Sequence, residues 1–331
     1  MPDVLLDNDT GVDDALALVY LASRPDVRIH LISSTAGNVD ADLVARNNQG
    51  ILQLCGLDEV PVVVGASRPL EIPLTVTPET HGPQGIGYAT VSTTRRPDPG
   101  DAAQRWVDLA RRHPGRFDAV CTAPLTNLAL ALRLEPRLPE LLRSLTIMGG
   151  SFLHPGNTTP TAEWNIHSDP HAAAEVFAAY DALPHLPVER LPLICALETT
   201  ERFELTPEHV RAWRREAAHP SGAGEQVLHL LEEALRFYFE FHEQYGYGRI
   251  AHVHDYAATA AATGGIRLDW TPQTVQVQTG PGPAVGTTVA DVRHLLGRRP
   301  NARIATGGDP VAAFAHLHER VVGLVERLSA A

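Results

Sequence analysis

The segment VLLDNDTGVDD, residues 4–14, places four aspartates directly behind a short apolar run. The apolar residues Val4 to Leu6 are typical of a buried parallel strand. Gly11 supplies a tight turn before an apolar-periodic stretch, residues 15–21, that indicates a helix. Such a unit puts its turn at the carboxyl end of a strand, which is the edge where open α/β sheets bind ligands. The segment therefore predicts an α/β fold with a functional site in its first turn.

The four aspartates of this turn, Asp7, Asp9, Asp13 and Asp14, repel one another unless a cation joins them. Hard divalent cations take carboxylate and carbonyl oxygens as ligands. A local alternative makes Asp9 a helix N-cap and leaves Asp13 and Asp14 near the positive end of the helix dipole. That alternative explains one or two acids. Asp7 and Asp9, two apart on a strand, point to the same side and concentrate the charge, so the cluster predicts metal or catalytic chemistry.

Composition excludes several classes of protein. The chain has 331 residues, 44% of them hydrophobic, with a net charge of −12, which argues against nucleic acid or an anionic membrane as partner. No stretch approaches a membrane span or a signal peptide, so a cytoplasmic location is expected. There is no lysine, which excludes Schiff-base chemistry and the P-loop. The three cysteines are expected to be buried structural thiols.

Strand-like runs alternate with helical patterns along the chain, which favours a mostly parallel central sheet flanked by helices on both faces. We expect one Rossmann-like domain over residues 1–331, with mobile site loops near 75–90 and 217–250. The predicted strands after the first cover residues 27–33, 60–64, 119–121, 145–148 and 193–196. The predicted helices cover residues 41–55, 101–112, 127–134, 170–179, 207–217 and about 225–245.

Polar residues follow several of these strands. Asn38 follows the second strand, and His81 opens a glycine-rich loop that ends at Gly87. Each also suits an ordinary turn or surface loop. Thr126 follows the strand that ends at Cys121, where it is a natural N-cap whose carbonyl or hydroxyl is also able to face a metal. Met148 precedes two glycines.

Two later motifs add hydrogen-bonding groups. Glu163 and Asn165 flank Trp164, and in an extended segment both would lie on one face, which suits a polyol such as ribose. Solvated loop residues are the alternative. His254 and Asp255 open an alanine-rich helix, residues 256–262, where an ordinary surface histidine and an N-cap are the alternatives.

Taken together, these motifs resemble those of the nucleoside hydrolases of the inosine-uridine preferring type, which cut the N-glycosidic bond of ribonucleosides. The resemblance runs in order over about three quarters of the chain. Thr10 stands where that family commonly has proline, and Trp164 where phenylalanine is usual. The resemblance rests on the acidic opening and on Gly37-Asn38, His81-Gly82, Pro124 to Asn127, Met148 to Gly150, Asn157, Glu163 to Asn165, Asp169-Pro170 and His254-Asp255.

The resemblance implies a calcium-dependent hydrolase with an oxocarbenium-like transition state. It implies that Ca²⁺ is held by Asp9, Asp14, Asp255 and the backbone carbonyl of Thr126, and that Asp9 deprotonates the attacking water. His254 is the candidate general acid for the leaving base. Asp7 is expected to support the loop through hydrogen bonds.

The resemblance also implies a set of substrate-binding residues and a kind of assembly. The partner is a small-molecule ribonucleoside in purine or pyrimidine salvage, and relatives form homodimers or homotetramers. The base preference stays open. The substrate-binding residues implied are Asp13 and Asn38 for the ribose diol, Asn157, Glu163 and Asn165 for the 5′- and 3′-hydroxyls, His81 beside the base, and Met148 and Trp164 in the pocket.

Two other functions remain as alternatives. A metal-dependent phosphohydrolase would use Asp7 as nucleophile and Asp9 as acid and base, although Gly11 breaks that motif and no lysine is present. A non-catalytic nucleoside-binding protein would keep the site without turnover.

Overall fold

The first strand, β1 (Asp3–Asn8), lies between two parallel neighbours, β2 (Arg28–Ser34) and β4 (Phe117–Cys121). Its apolar residues are fully buried, as expected of a strand covered on both faces. The computed structural model describes residues 1–330. Because β1 is central, the turn that follows it opens in the middle of the sheet edge.

The remaining strands extend this sheet or form two small antiparallel pairs. Within residues 1–330 they are β3 (Val62–Val64), β5 (Ser144–Met148), β6 (Leu193–Cys195), β7 (Glu204–Leu205), β8 (Ala251–His252), β9 (Trp270–Gln273), β10 (Val275–Val277), β11 (Thr288–Ala290) and β12 (Ala302–Ala305).

The helices pack on both faces of the sheet. In chain order they are α1 (Val12–Ser23), α2 (Ala41–Leu54), α3 (Pro78–His81), α4 (Ala102–Arg112), α5 (Thr126–Leu134), α6 (Leu138–Leu141), α7 (Trp164–Ser168), α8 (Pro170–Asp181), α9 (Leu197–Thr200), α10 (Pro207–Glu216), α11 (Gly222–Gln244), α12 (His254–Ala262) and α13 (Pro310–Ser329), with a 3₁₀ turn at Val188–Arg190.

Eight strands of the described chain form the main sheet, in the order β3-β2-β1-β4-β5-β6-β12-β9. All neighbours in it are parallel except β12 and the edge strand β9. The chain runs from β1 outward to β2 and β3, and then returns to the other side of β1 with β4. This reversal leaves a crevice at the carboxyl ends of β1 and β4, where α/β proteins bind ligands.

Two apolar clusters fill the space between the sheet and the helices. One joins α1, α11, α12 and α13, and the other joins α4, α5 and α8. The sequence therefore predicted the α/β class and the mostly parallel sheet correctly. None of the helices within residues 1–330 is both long and apolar enough to cross a bilayer.

The predicted strands and helices are found, with ends that agree or shift by up to three residues. Helix α1 begins at Val12 rather than at residue 15, because extended Gly11 (φ −79°, ψ −178°) is its N-cap. The segment before His254 contributes β8 to a two-stranded antiparallel sheet with β7, outside the main sheet. Strands β9 and β12 and helix α13 were not predicted. Range 217–250 is mostly helix α11, and its mobility and that of range 75–90 stay predictions.

Candidate active site

Asp9 lies directly after β1, at the bottom of the crevice, and is fully buried. Its Oδ2 accepts a hydrogen bond of 2.8 Å from the backbone N–H of Asn38, which follows β2. Its Oδ1 is buried and has no hydrogen-bond partner among residues 1–330. A buried carboxylate oxygen without a donor is unfavourable unless a cation or a ligand meets it.

The turn after Asp9 brings α1 against two neighbouring loops. Thr10 has a positive φ of 37°, which is rare for a β-branched residue and marks strain at this turn. A Cβ atom on Gly11 would lie 2.7 Å from Asn38 Nδ2 and 2.9 Å from the ring of His81. Only glycine allows this approach, and the backbone N–H of Val12 then donates to His81 Nδ1 at 3.1 Å.

Asp13 and Asp14 lie in the first turn of α1, where the helix dipole favours negative charge. Asp14 Oδ2 accepts the backbone N–H of Gly11 at 2.7 Å, and its Oδ1 accepts the hydroxyl of Thr122, after β4, at 2.6 Å. The local alternative required Asp9 to be the N-cap of α1, but Gly11 occupies that position. Asp14 instead ties the ends of β1 and β4 together.

Asp255 completes the acidic group from the first turn of α12. It is therefore not the N-cap of that helix, a position that Val253 takes. Its carboxylate lies close enough to those of Asp13, Asp14 and Asp9 for their negative charges to act on one another. Two residues some 240 positions apart in sequence thus meet in one buried acidic cluster, which we define as Asp9, Asp13, Asp14 and Asp255.

The electrostatics of the acidic cluster favour a positive charge within it. Burial, and then the charge of Asp14, hold the pKa of Asp9 well above its ordinary value. Burial raises the pKa of Asp13 to about 7 and that of Asp14 to about 6. Burial, and then Asp13, raise the pKa of Asp255. In residues 1–330, however, no three Asp, Glu, His or Cys side chains already stand in a metal-binding arrangement.

Asp7 has a different environment from the acidic cluster. Its Oδ1 accepts hydrogen bonds from Ser33 Oγ (2.6 Å), Thr35 Oγ1 (2.9 Å) and Asn127 Nδ2 (2.8 Å). The residue is fully buried and is not part of the cleft wall. These bonds join the ends of β1, β2 and α5, which is a structural role.

A cleft of about 400 Å³ opens above the acidic cluster. Ten of the residues singled out from the sequence line it, while Asp9, Asp14 and Thr126 are buried and do not line it. The ten are Asp13, Asn38, His81, Met148, Asn157, Glu163, Trp164, Asn165, His254 and Asp255.

Two expectations about the local structure of predicted site residues are wrong. Thr126 is not an N-cap: it is the first residue of α5, and its hydroxyl donates to Asp169 Oδ2 at 2.7 Å. Glu163 and Asn165 do not alternate on an extended segment, because Glu163 is the N-cap of the short helix α7. Its carboxylate accepts the backbone N–H groups of Asn165 (2.8 Å), Gly150 (2.9 Å) and Ile166 (3.1 Å), which close the turn into a helix.

The two predicted histidines face the cleft in neutral form. Burial lowers the pKa of His81 to about 3 and that of His254 well below its ordinary value. His254 Nδ1 lies 2.8 Å from the hydroxyl of Thr200. Neither histidine is therefore a surface residue, although both are uncharged at neutral pH in this environment.

Sequence reasoning did not place the side chains that α11 contributes to the cleft wall. Tyr238, Phe241, His242 and Tyr245 line the cleft, together with His252 from β8. Positions 238, 241, 242 and 245 follow the spacing of one helical face. That spacing was visible in the sequence, but a buried core face produces the same pattern.

The chain matches known proteins over almost its whole length. The family model of the inosine-uridine preferring nucleoside hydrolases matches residues 4–315. The chain is 31% identical to the pyrimidine-specific ribonucleoside hydrolase RihA of Citrobacter koseri, over 96% of this chain and 97% of that protein.

Solved structures show the same similarity. The purine-preferring ribonucleoside hydrolase from Gardnerella vaginalis aligns with a TM-score of 0.87 at 27% identity, covering 98% of this chain and 99% of that one. The plant nucleoside hydrolase PpNRh1 aligns with a TM-score of 0.86 at 26% identity, covering 97% and 99%. The resemblance inferred from the sequence motifs is confirmed by these comparisons.

Proposed function

The chain belongs to the family of inosine-uridine preferring nucleoside hydrolases, and we propose that it hydrolyses the N-glycosidic bond of ribonucleosides to ribose and free base through an oxocarbenium-like transition state. The observation that carries the proposal is the position of the acidic cluster at the floor of a cleft lined by amide, carboxylate and imidazole groups. Carboxylates beneath a sugar stabilise the positive charge that develops when a glycosidic bond breaks.

We assign the ribose to the floor of the cleft. Asp13 and Asn38 are the groups proposed for the diol, since both line the cleft beside the acidic cluster. Thr77 Oγ1 donates to Asn38 Oδ1 at 3.2 Å, which orients the Asn38 amide. Asn157, Glu163 and Asn165 are proposed for the remaining hydroxyls, with Met148 and Trp164 packed beside them.

We propose that Asp9, Asp14, Asp255 and the backbone carbonyl of Thr126 hold Ca²⁺. The donor set consists of oxygens alone, which suits a hard cation. The unpartnered Oδ1 of Asp9 and the raised pKa values of the acidic cluster support a positive charge at this place. When bound, the ion would compensate the carboxylates and lower the pKa of a water molecule. Asp9 is the group proposed to accept the proton of the attacking water.

The leaving base is proposed to meet His254 and His81. Both line the cleft and are buried. A neutral imidazole N–H is able to hydrogen-bond to the departing base, and His254 stays our candidate for protonating it. The relatives are named for different bases, so their names do not supply a preference for this chain.

The phosphohydrolase alternative finds no support in the geometry. Its nucleophile would be Asp7, which is buried, does not line the cleft, and is tied by three hydrogen bonds to its Oδ1. A homodimer or homotetramer stays a prediction, which light scattering coupled to gel filtration tests directly.

Replacing Asp9 tests the proposed function. Asp9→Asn keeps the volume and the acceptor for the Asn38 N–H but removes the base, so we expect the release of ribose from inosine and uridine to fall by on the order of 10²–10⁴-fold. EGTA should abolish release and added Ca²⁺ should restore it. If Asp13 and Asn38 bind the ribose diol, substrates without the 2′-hydroxyl should be hydrolysed more slowly.

The control for this experiment is Asp58→Asn, at an exposed position that does not line the cleft. It should leave ribose release unchanged. Turnover that persists in Asp9→Asn or in EGTA would overturn the mechanism. Release of phosphate from nucleotides, without ribose from nucleosides, would instead establish the phosphohydrolase.

A further inference from the structure

His242 lies on α11 and lines the cleft, and the mechanism proposed above does not use it. Its Nδ1 is 2.8 Å from the backbone carbonyl oxygen of Tyr238, one helical turn earlier. A carbonyl oxygen only accepts hydrogen bonds, so Nδ1 must carry the hydrogen. The tautomer of His242 is thereby fixed by the backbone of its own helix.

The other ring nitrogen of His242 is therefore an acceptor. Burial lowers the pKa of His242, so the ring is neutral and Nε2 carries a free lone pair. Among residues 1–330, Nε2 has no hydrogen-bond partner, and this atom is accessible to solvent from the cleft. The rings of Tyr238, His252 and Phe241 pack around the imidazole at centroid distances of 4.4, 4.8 and 5.4 Å and hold its orientation.

His81 has the opposite polarity on the same wall. Its Nδ1 accepts the backbone N–H of Val12 at 3.1 Å, so in the neutral ring Nε2 carries the hydrogen. The ring of Tyr238 lies beside both histidines, 5.4 Å from His81 and 4.4 Å from His242. The wall thus presents a fixed donor, His81, and a fixed acceptor, His242.

We propose that His242 is a specificity-determining residue that accepts a hydrogen bond from a ring N–H of the substrate base. This inference rests on the proposed function and names its substrate class. Uracil, hypoxanthine and guanine carry a ring N–H beside a carbonyl, which matches an acceptor next to a donor. Cytosine and adenine carry a lone pair at the same ring nitrogen, and that lone pair would face the lone pair of His242. The chain therefore selects oxo bases over amino bases.

The test compares kcat/KM for two matched pairs of nucleosides, uridine against cytidine and inosine against adenosine. A mismatched buried polar contact lowers kcat/KM by roughly 10- to 100-fold. We therefore expect the native enzyme to prefer uridine over cytidine, and inosine over adenosine, by this factor. His242→Phe keeps the aromatic packing and removes the acceptor, so both ratios should fall to within about threefold.

A second variant tests the acceptor without an added apolar ring. His242→Gln places an amide near the position of Nε2, and this amide is able to turn either its oxygen or its N–H₂ toward the base. We expect it to keep activity on uridine and to gain activity on cytidine. The matched control is His229→Gln, at an exposed position on the same helix, which should leave both ratios unchanged.

Binding of the free bases separates this inference from the proposed function. If no nucleoside is cleaved, the proposed function fails, but calorimetry still decides the role of His242: uracil should bind more tightly than cytosine to the native protein, and His242→Phe should remove the difference. Native preference for the amino bases, or ratios unchanged in His242→Phe, would overturn the inference.

Discussion

Glu163 is a residue whose role differs from the one its sequence context indicated. Its two oxygens together accept three backbone N–H groups, from Gly150, Asn165 and Ile166, and the side chain is buried. Burial raises its pKa, whereas these hydrogen bonds favour the ionised form. This carboxylate therefore stabilises the segment between β5 and the start of α7, in addition to any contact with a substrate hydroxyl.

Glu163→Gln is therefore expected to reduce both stability and activity. The amide N–H₂ must face a backbone N–H, and a buried donor left without an acceptor costs about 1–3 kcal/mol. We expect a lower thermal midpoint together with a higher KM for the nucleoside. Urea unfolding and steady-state kinetics measure the two effects, with exposed Glu59→Gln as the control. A higher KM at unchanged stability would mean that Glu163 acts on the substrate alone.

The N-terminus of α1 is the element on which the site depends. Gly11 places the helix where Asn38 and His81 both touch its first turn, and Asp14 links that turn to the end of β4 through Thr122. Three loops that are distant in sequence are thereby fixed against one helix end. We therefore expect a substitution at this helix end to displace the pocket residues without unfolding the protein.

Gly11→Ala tests this dependence. Its φ of −79° suits alanine, so the effect arises from the added Cβ, which would lie within 3 Å of Asn38 and His81. We expect KM to rise by about tenfold or more because both side chains must shift. Gly323→Ala in α13 is the matched control, since no atom lies within 4 Å of its added Cβ; it should stabilise the protein by about 0.5–1 kcal/mol. Unchanged kinetics in Gly11→Ala would show that Asn38 and His81 do not depend on this contact.

The elements differ in how well the sequence predicted them. Continuous apolar runs such as Val4 to Leu6 and periodic helices such as α2 were predictable, because the local order of apolar and polar residues indicates which side chains are buried. The short strands β9 and β12 were not, since each has four residues and its place is set by pairing at the sheet edge. The role of the aromatic face of α11 was not predictable, because the sequence does not show that a cleft rather than the core lies beside it.

The whole molecule combines a net charge of −12 with a buried acidic cluster at the centre of its sheet edge. The aspartates of this cluster come from the loop after β1, from the first turn of α1 and from α12, so their meeting depends on the complete fold. Sequence motifs pointed to ten residues that the fold brings together in one cleft. The sequence did not predict their contacts with one another, which depend on backbone hydrogen bonds such as that of Asp9 with Asn38.

Protons and a cation should compete for the acidic cluster, which makes metal-dependent stability sensitive to pH. Burial raises the pKa of Asp13 to about 7 and that of Asp14 to about 6. Below these values the folded protein holds protons that a cation must displace, and above them it holds negative charges that a cation neutralises.

Ca²⁺ at about 100 times its Kd stabilises a folded protein by about 2.7 kcal/mol. We therefore expect the rise in melting temperature on adding Ca²⁺ to be larger near pH 8 than near pH 5, as measured by calorimetry on protein first treated with EGTA. The buried histidines titrate with and without the ion, so the difference between the two curves isolates the carboxylates. Asp9→Asn should show a much smaller rise at both pH values, whereas a rise that is the same at both in the native protein would place the ion away from the acidic cluster.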